Sequence, residues 1–329
     1  MKEGRASPFR VGVLAYDGCF AAEIFGFSDL LLIANRVAVQ SGAATSDPFK
    51  LTVLSGSDSV VVAGGATLGT KRWRSKFDLL VVPGFELVPM ENLDRRLAKL
   101  KDEAGFISRV AARGTPVASI CVGAFMLGEA GLLDGRRATT AWMFADELSR
   151  RYPDTNVRQS SLFEEDREVT TTAAFSSSQD LALRVIRQHL GPRIARATGR
   201  ITLVAANRQS QSPFIDSSLL PVATDQFSEP IKQRLIERMA EPYDLTRLAE
   251  EFNVSTRTLL RKFRAEAGMS PLDFLQDRRI EKAKHRLEGS NDSLTQIMRS
   301  VGYADPGTFR RLFLARVGIT PADFRRQFR

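Results

Sequence analysis

Cys121 closes an apolar run that begins at Pro116 and is followed at once by Val122-Gly123-Ala124 and a helical pattern. A cysteine on a sharp strand-to-helix turn built from small residues has the form of a nucleophile elbow, which lifts a reactive side chain clear of the backbone. Chemistry there needs the thiolate, and the thiolate needs a neighbouring base or cation. The chain has two histidines, His189 near the end of a helical pattern and His285 far downstream. Cys121 therefore has two readings, a nucleophile or a small apolar side chain in the wall of a pocket. A second chemistry is carried by arginines. Arg257, Arg261 and Arg264 fall at helical spacing in one short segment, and Arg310 and Arg311 follow Thr308 in another. Guanidiniums on one helix face match guanine O6 and N7 in a major groove, although charge on a helix is also the ordinary make-up of a solvated surface.

Different scaffolds must hold these two sets. From Phe9 to about His189, short β-branched runs alternate with helical periodicity. "FRVGVLAY", "FKLTVLSG", "FDLLVVPG" and "TPVASIC" read as strands; "AEIFGFSDLLLIANRVA", "GAFMLGEAGLL" and "SQDLALRVIRQHL" read as helices. That alternation predicts an α/β domain with a parallel sheet covered on both faces. Residues 207–229, rich in Ser, Gln and Pro, read as a linker between a first domain, 1–206, and a second, 230–329. Past the linker every segment reads as helical.

The second domain contains one unit twice. Thr246, Leu248 and Phe252 fall on Thr295, Ile297 and Val301; after one inserted residue, Thr258, Arg261 and Phe263 meet Thr308, Arg311 and Phe313. Gly268, Pro271, Asp273 and Phe274 then land on Gly318, Pro321, Asp323 and Phe324, about 50 residues on. Leu245, Leu248, Ala249 and Phe252 make a short amphipathic helix, and Asn253 or Gly302 supplies a turn residue that tolerates positive φ. Ser255 and Asp305 are expected N-caps of the helices that follow, with Pro306 at a first helical position. Each unit is a helix-turn-helix whose second helix buries Leu259 and Phe263, or Phe309 and Phe313, and turns its arginines outward.

Composition agrees with this division. With 329 residues, 43% hydrophobic and 26% charged, the chain has the make-up of an ordinary globular protein with two cores. The net charge of +9 calls for an acidic partner, nucleic acid first and an anionic membrane surface second. From Glu229 onward there are 20 basic and 14 acidic residues, so the excess is concentrated in the last hundred residues. Cys19 and Cys121 are the only cysteines, which excludes a disulfide framework and leaves a four-ligand zinc site needing every Cys and His; no metal or cofactor is expected. The apolar stretch near the N-terminus breaks at Asp17, too short for a signal-peptide core, and no run approaches the roughly 18 apolar residues of a membrane helix. A soluble cytoplasmic protein is expected.

The second domain resembles the DNA-binding domain of the AraC/XylS family through "VSTRTLLRKFRAEAGMSP" and "VGYADPGTFRRLFLARVGITPADFRRQF", over Pro230 to Arg329. This resemblance implies a transcription factor reading two adjacent major grooves, with Arg257, Arg261 and Arg264 on the first recognition helix and Thr308, Arg310 and Arg311 on the second. Gly307 departs from the pattern, since it brings no side chain. The first domain resembles the class I glutamine amidotransferase-like superfamily in its ThiJ/PfpI branch, with a flavodoxin-like fold. Four pieces carry the likeness, from about Phe9 to Leu190: "YDGCFAAEIFGFSDLLLIAN", "FDLLVVPGF", "ASICVGAFMLGEAGLLDGRRATTAW" and the run around "REVTTTAAFSSSQDLAL". Joined, the two are the architecture of GlxA-like transcriptional regulators.

In enzymes of that branch an acid from the first strand-to-helix turn lies near the cysteine, and a histidine follows a pair of threonines. Glu23 matches the acid and Thr139-Thr140 the threonines, but Ala141 stands in the histidine's place. The resemblance thus implies a degenerate elbow and a pocket for an amine, amide or amino-acid derivative, formed by Glu23, Gly84, Phe85, Cys121, Val122 and Trp142. Gly84 and Phe85 are expected to lend backbone N–H groups to the ligand. Glu23 also suits a helix start without any ligand, and Trp142 suits a core. The partners implied are operator DNA, a small effector, RNA polymerase and a second copy of the chain, with no membrane. The alternative is a ThiJ/PfpI-type hydrolase or hydratase, working with Cys121 and Glu23, tethered to DNA.

Overall fold

Continuous β-branched runs buried on both faces form the centre of the first unit. The computed structural model describes residues 7–73, 76–87, 92–204, 208, 210–216, 219 and 227–329. In chain order its first unit contains Phe9–Leu14 (β1), Ala21–Gln40 (α1), Phe49–Ser55 (β2), Ser59–Val61 (β3), Thr67–Gly69 (β4), Lys71–Arg72 (β5) and Leu79–Val82 (β6). Then come Leu93–Lys99 (α2), Lys101–Ala111 (α3), Val117–Ser119 (β7), Gly123–Glu129 (α4), Arg137–Ala138 (β8), Ala145–Arg151 (α5), Asn156–Val157 (β9), Phe163–Asp166 (β10), Val169–Thr172 (β11) and Ser177–Thr202 (α6). The main sheet runs β10-β11-β7-β6-β1-β2-β5, parallel throughout except for the β10–β11 hairpin. Its register sets Val13 beside Val53 and Val81, and Val81 beside Ala118.

From β1 the chain moves to β2 on one side, and from β6 to β7 on the other. Strand order therefore reverses between β1 and β6, and right-handed crossovers send the intervening helices to opposite faces. Ligands of open α/β sheets bind in the crevice beyond the strand ends at such a reversal. Cys121, Gly84 and Glu23 all lie there. The α6 helix packs along α1 and bends at Gly191-Pro192, where φ of +79° interrupts the helical backbone.

The chain divides as Met1–Gln211 and Ser212–Arg329, inside the stretch expected as linker. Much of that linker, residues 207, 209, 217, 218 and 220–226, lies outside the described residues. What is described is not featureless: Arg208 pairs with Asp180, and the Gln211 side chain is buried in the first unit.

The second unit is helical: Ser228–Glu237 (α7), Leu245–Glu251 (α8), Thr256–Ala267 (α9), Pro271–Gly289 (α10), Leu294–Ser300 (α11), Pro306–Val317 (α12) and Pro321–Phe328 (α13). It has two small cores. Leu248, Leu259 and Phe263 close one, with Leu275 of α10. Ile297, Phe309, Phe313 and Phe324 close the other, with Ile280, Ala283 and Leu287 of the same long helix. The local signals read from sequence recur in the backbone. Ser255 accepts from Thr258 N–H and Asp305 from Thr308 N–H as N-caps, Asn253 and Gly302 hold φ of +53° and +82°, and Gly268 and Gly318 end α9 and α12.

Candidate functional site

Three strand ends converge on Cys121. The turn after β1 delivers Glu23 into the first turn of α1, β6 leads into Pro83 and Gly84, and β7 leads into Cys121. Cys121 holds φ of +55°, in the left-handed region that costs a non-glycine residue about 1 to 2 kcal/mol. Bonds on both sides of the residue hold it there. Its N–H donates to the Ala173 carbonyl at 2.9 Å, and the Thr140 hydroxyl donates to its carbonyl at 2.8 Å. Gly123, next but one, lets α4 start against β6, because a Cβ there would stand 2.6 Å from the Val82 oxygen and 2.7 Å from that of Pro83.

Glu23 is no surface residue at a helix start; its side chain is wholly buried. Oε2 accepts the Gly84 N–H at 2.6 Å, while Oε1 is enclosed without a partner of hydrogen-bonding geometry. A side chain added at Gly84 would have its Cβ 3.1 Å from the Cys121 Cβ and 3.2 Å from Glu23 Oε2, so the three residues are immediate neighbours. Burial pushes the Glu23 carboxyl up to about 7, against the Gly84 N–H and the Cys121 thiol, which favour its charged form. Burial, and then the Glu23 charge, push the Cys121 thiol up to about 12. At neutral pH the thiol keeps its proton.

One expectation is corrected here. The Gly84 N–H cannot be offered to a ligand while Glu23 holds it, because one N–H makes one strong bond. Phe85 turns a buried ring toward Tyr16 and lies beneath the Arg96 guanidinium, and Val122 is buried as the first helical turn begins. Ala141 and Trp142 are both largely buried next to Thr140. Sequence reasoning missed the residue that fastens this segment. Gln211 donates to the carbonyls of Thr140 at 2.8 Å and Gln159 at 2.6 Å, and accepts the Trp142 N–H at 3.2 Å. It comes from the stretch expected as linker, and nothing local marks it.

Neither histidine reaches the elbow within its own unit. His189 lies against Phe9, the first residue of β1, whereas Cys121 follows the last residue of β7; parallel strands put the two at opposite ends of the sheet. His285 belongs to the second unit, 3.3 Å from Asp216. Those two residues and Glu281 form a trio whose ligand atoms lie within 4.8 Å of one another, but Lys284 already neutralises Glu281 at 3.0 Å.

In the second unit, arginines sort by whether they have partners. Arg279 donates to the Met239 carbonyl, Arg316 pairs with Asp273 and Asp277, and Arg234, Arg238 and Arg247 surround Glu251. By contrast Arg257, Arg261, Arg264 and Arg310 are exposed and, among the described residues, have no ion-pair partner. Arg311 is exposed beside Thr308, 3.3 Å from its hydroxyl. Among the described residues, exposed guanidiniums without a direct ion pair are thus most numerous on α9 and α12, the second helices of the two units, with Arg299 of α11 a further one of the same kind.

A model of the DJ-1/PfpI family matches residues 50–188, and a helix-turn-helix domain model matches residues 248–327. The HTH-type transcriptional regulator CdhR of Pseudomonas aeruginosa is 32% identical over 290 residues, covering 85% of this chain and 82% of its own. The chain belongs to the AraC/XylS family, among its GlxA-like transcriptional regulators. The HTH-type transcriptional regulator GlxA of Rhizobium meliloti is 29% identical over 225 residues, 67% of the regulator described here and 68% of its own length. A crystal structure of an AraC family transcriptional regulator from Pseudomonas putida is 26% identical and covers 59% of this chain and 100% of its own, with a TM-score of 0.48. The regulator is a DNA-binding protein with a DJ-1/PfpI-type domain, and no helix among its described residues is long and apolar enough to cross a membrane.

Proposed function

We propose that this regulator senses a small metabolite at the Cys121 elbow without turning it over, and answers by changing how its two helix-turn-helix units engage operator DNA. The observation that carries this reading is the pairing of a buried, protonated thiol with a buried carboxyl and no histidine. An unactivated thiol is a poor nucleophile, whereas a buried carboxyl held by the Gly84 N–H and the weakly donating Cys121 thiol keeps acceptor capacity for a ligand N–H. The effector class that fits is an amine, amide or amino-acid derivative, with Trp142 as the apolar wall. A homodimer that recruits RNA polymerase completes the reading.

A second reading has one observation in its favour. Cys121 keeps the strained φ of a nucleophile elbow, and Glu23 titrates near neutrality as a general acid or base would. In that case the domain is a hydrolase or hydratase tethered to DNA. Turnover assays on amides, isonitriles and glyoxals, run beside a thermal-shift screen of amines and amino-acid derivatives, separate the two. Sensing predicts stabilisation by a ligand that is recovered unchanged. Consumption of a substrate by wild type, lost in Cys121→Ala, would establish the enzyme instead.

A further inference from the structure

The two recognition helices are in register, so their exposed positions can be compared in pairs. The second residue is Arg257 in α9 and Gly307 in α12, the fifth is Leu260 against Arg310, and the sixth is arginine in both. Leu260 is 37% exposed, although Leu259 beside it is fully buried. It lies three residues after Arg257 and four before Arg264, which aligns the three side chains in one row along the helix, with Arg261 at the flank.

A lone exposed leucine is ordinary on a protein surface. This one stands among three guanidiniums without ion-pair partners, in the half of the helix nearest its N-terminus. An apolar protein partner would have to bury those cations unpaired, at high cost. A polyanion with an apolar element on its groove floor satisfies both. In a major groove, phosphates and guanine edges meet the arginines, and the C5 methyl of thymine is the apolar group presented there. The N-terminal part of a recognition helix is the part that contacts bases.

We propose that Leu260 reads a thymine by packing on its C5 methyl, at the place in one half-site where Arg310 meets a different base in the other. The inference rests on DNA binding through α9, and it makes the two half-sites unlike in sequence. Its test begins with a site selected from a random DNA pool by the full-length protein. Each thymine is then replaced in turn by deoxyuridine, which removes the methyl and leaves pairing intact. Wild type should lose about fourfold in affinity at one thymine, the effect of one methyl group. Leu260→Ala should lose a similar amount on the unmodified site and show no further loss with deoxyuridine at that position. Leu260→Met, which keeps an apolar contact, should retain the sensitivity.

Indifference of wild type to every thymine methyl overturns the role of Leu260, and so does sensitivity that persists undiminished in Leu260→Ala. Failure to select any sequence from the pool refutes sequence reading by these helices altogether. The two failures are distinguishable, because the first occurs on a site that the protein binds.

Discussion

Glu23 and Cys121 are the residues whose ionisation the fold disturbs most usefully for an experiment. The Glu23 carboxyl titrates at about 7 in the folded chain against an ordinary value of 4.5, so between those pH values the folded protein holds a proton that the unfolded chain has lost. Its contribution to stability is present below about pH 4.5 and is lost as pH rises through about 7, amounting to about 3 kcal/mol at most. Glu23→Gln removes that term. Thermal unfolding at pH 5 and pH 8 should show the variant gaining on wild type at the higher pH, and parallel losses in both proteins would contradict the assignment. Cys121→Ala should keep operator binding and much of the ligand response, because a protonated thiol contributes contact area and one weak bond to Glu23. Trp142→Ala, which removes the apolar wall, should weaken the ligand more. Equal loss of the transcriptional response in Cys121→Ala would mean that the elbow still reacts.

At the scale of elements, α9 and α12 are built alike and placed on separate cores, joined by α10, which contributes to both. Arg261 and Arg311 are the sixth residues of their helices; Arg261 has no ion-pair partner among the described residues, and Arg311 lies near the exposed carboxylate of Asp305 without a direct ion pair. Substitution of either by Ala should weaken specific binding by about 1 to 3 kcal/mol while leaving the fold intact. The base positions that lose preference should differ between the two variants by about one helical turn of DNA, roughly 34 Å. Footprinting or repeated selection with each variant reads this directly. Relaxed preference at the same base pairs in both would show that the helices do not occupy successive grooves. Arg316→Ala is the contrasting case, since its partners Asp273 and Asp277 tie α12 to α10 and its loss should lower the melting temperature.

The whole molecule joins two units with separate cores, and residues 229–329, within the second, carry 20 basic against 14 acidic side chains. A fragment from Ser212 onward should therefore bind DNA unaided, and its affinity should fall about a hundredfold between 50 and 200 mM salt if about four phosphates are engaged. Binding that is flat across that titration would leave the free arginines without a role. The amino-acid sequence determined a good deal of this by itself. Strand and helix periods, the caps Ser255 and Asp305, the turn residues Asn253 and Gly302 and the repeat of the helix-turn-helix are local or short-range patterns, and they are legible because propensity and capping act within a few residues. Ala141 in the place of a histidine was legible too, since it needs only a motif to be noticed. What tertiary structure alone decided is the state of the site. The burial of Glu23, the capture of the Gly84 N–H, the protonated Cys121 and the clamp formed by Gln211 all depend on segments 52 to 98 residues apart in the chain. So does the division of arginines into paired and free, because an ion pair such as Arg316 with Asp273 forms between helices whose contact no local pattern encodes.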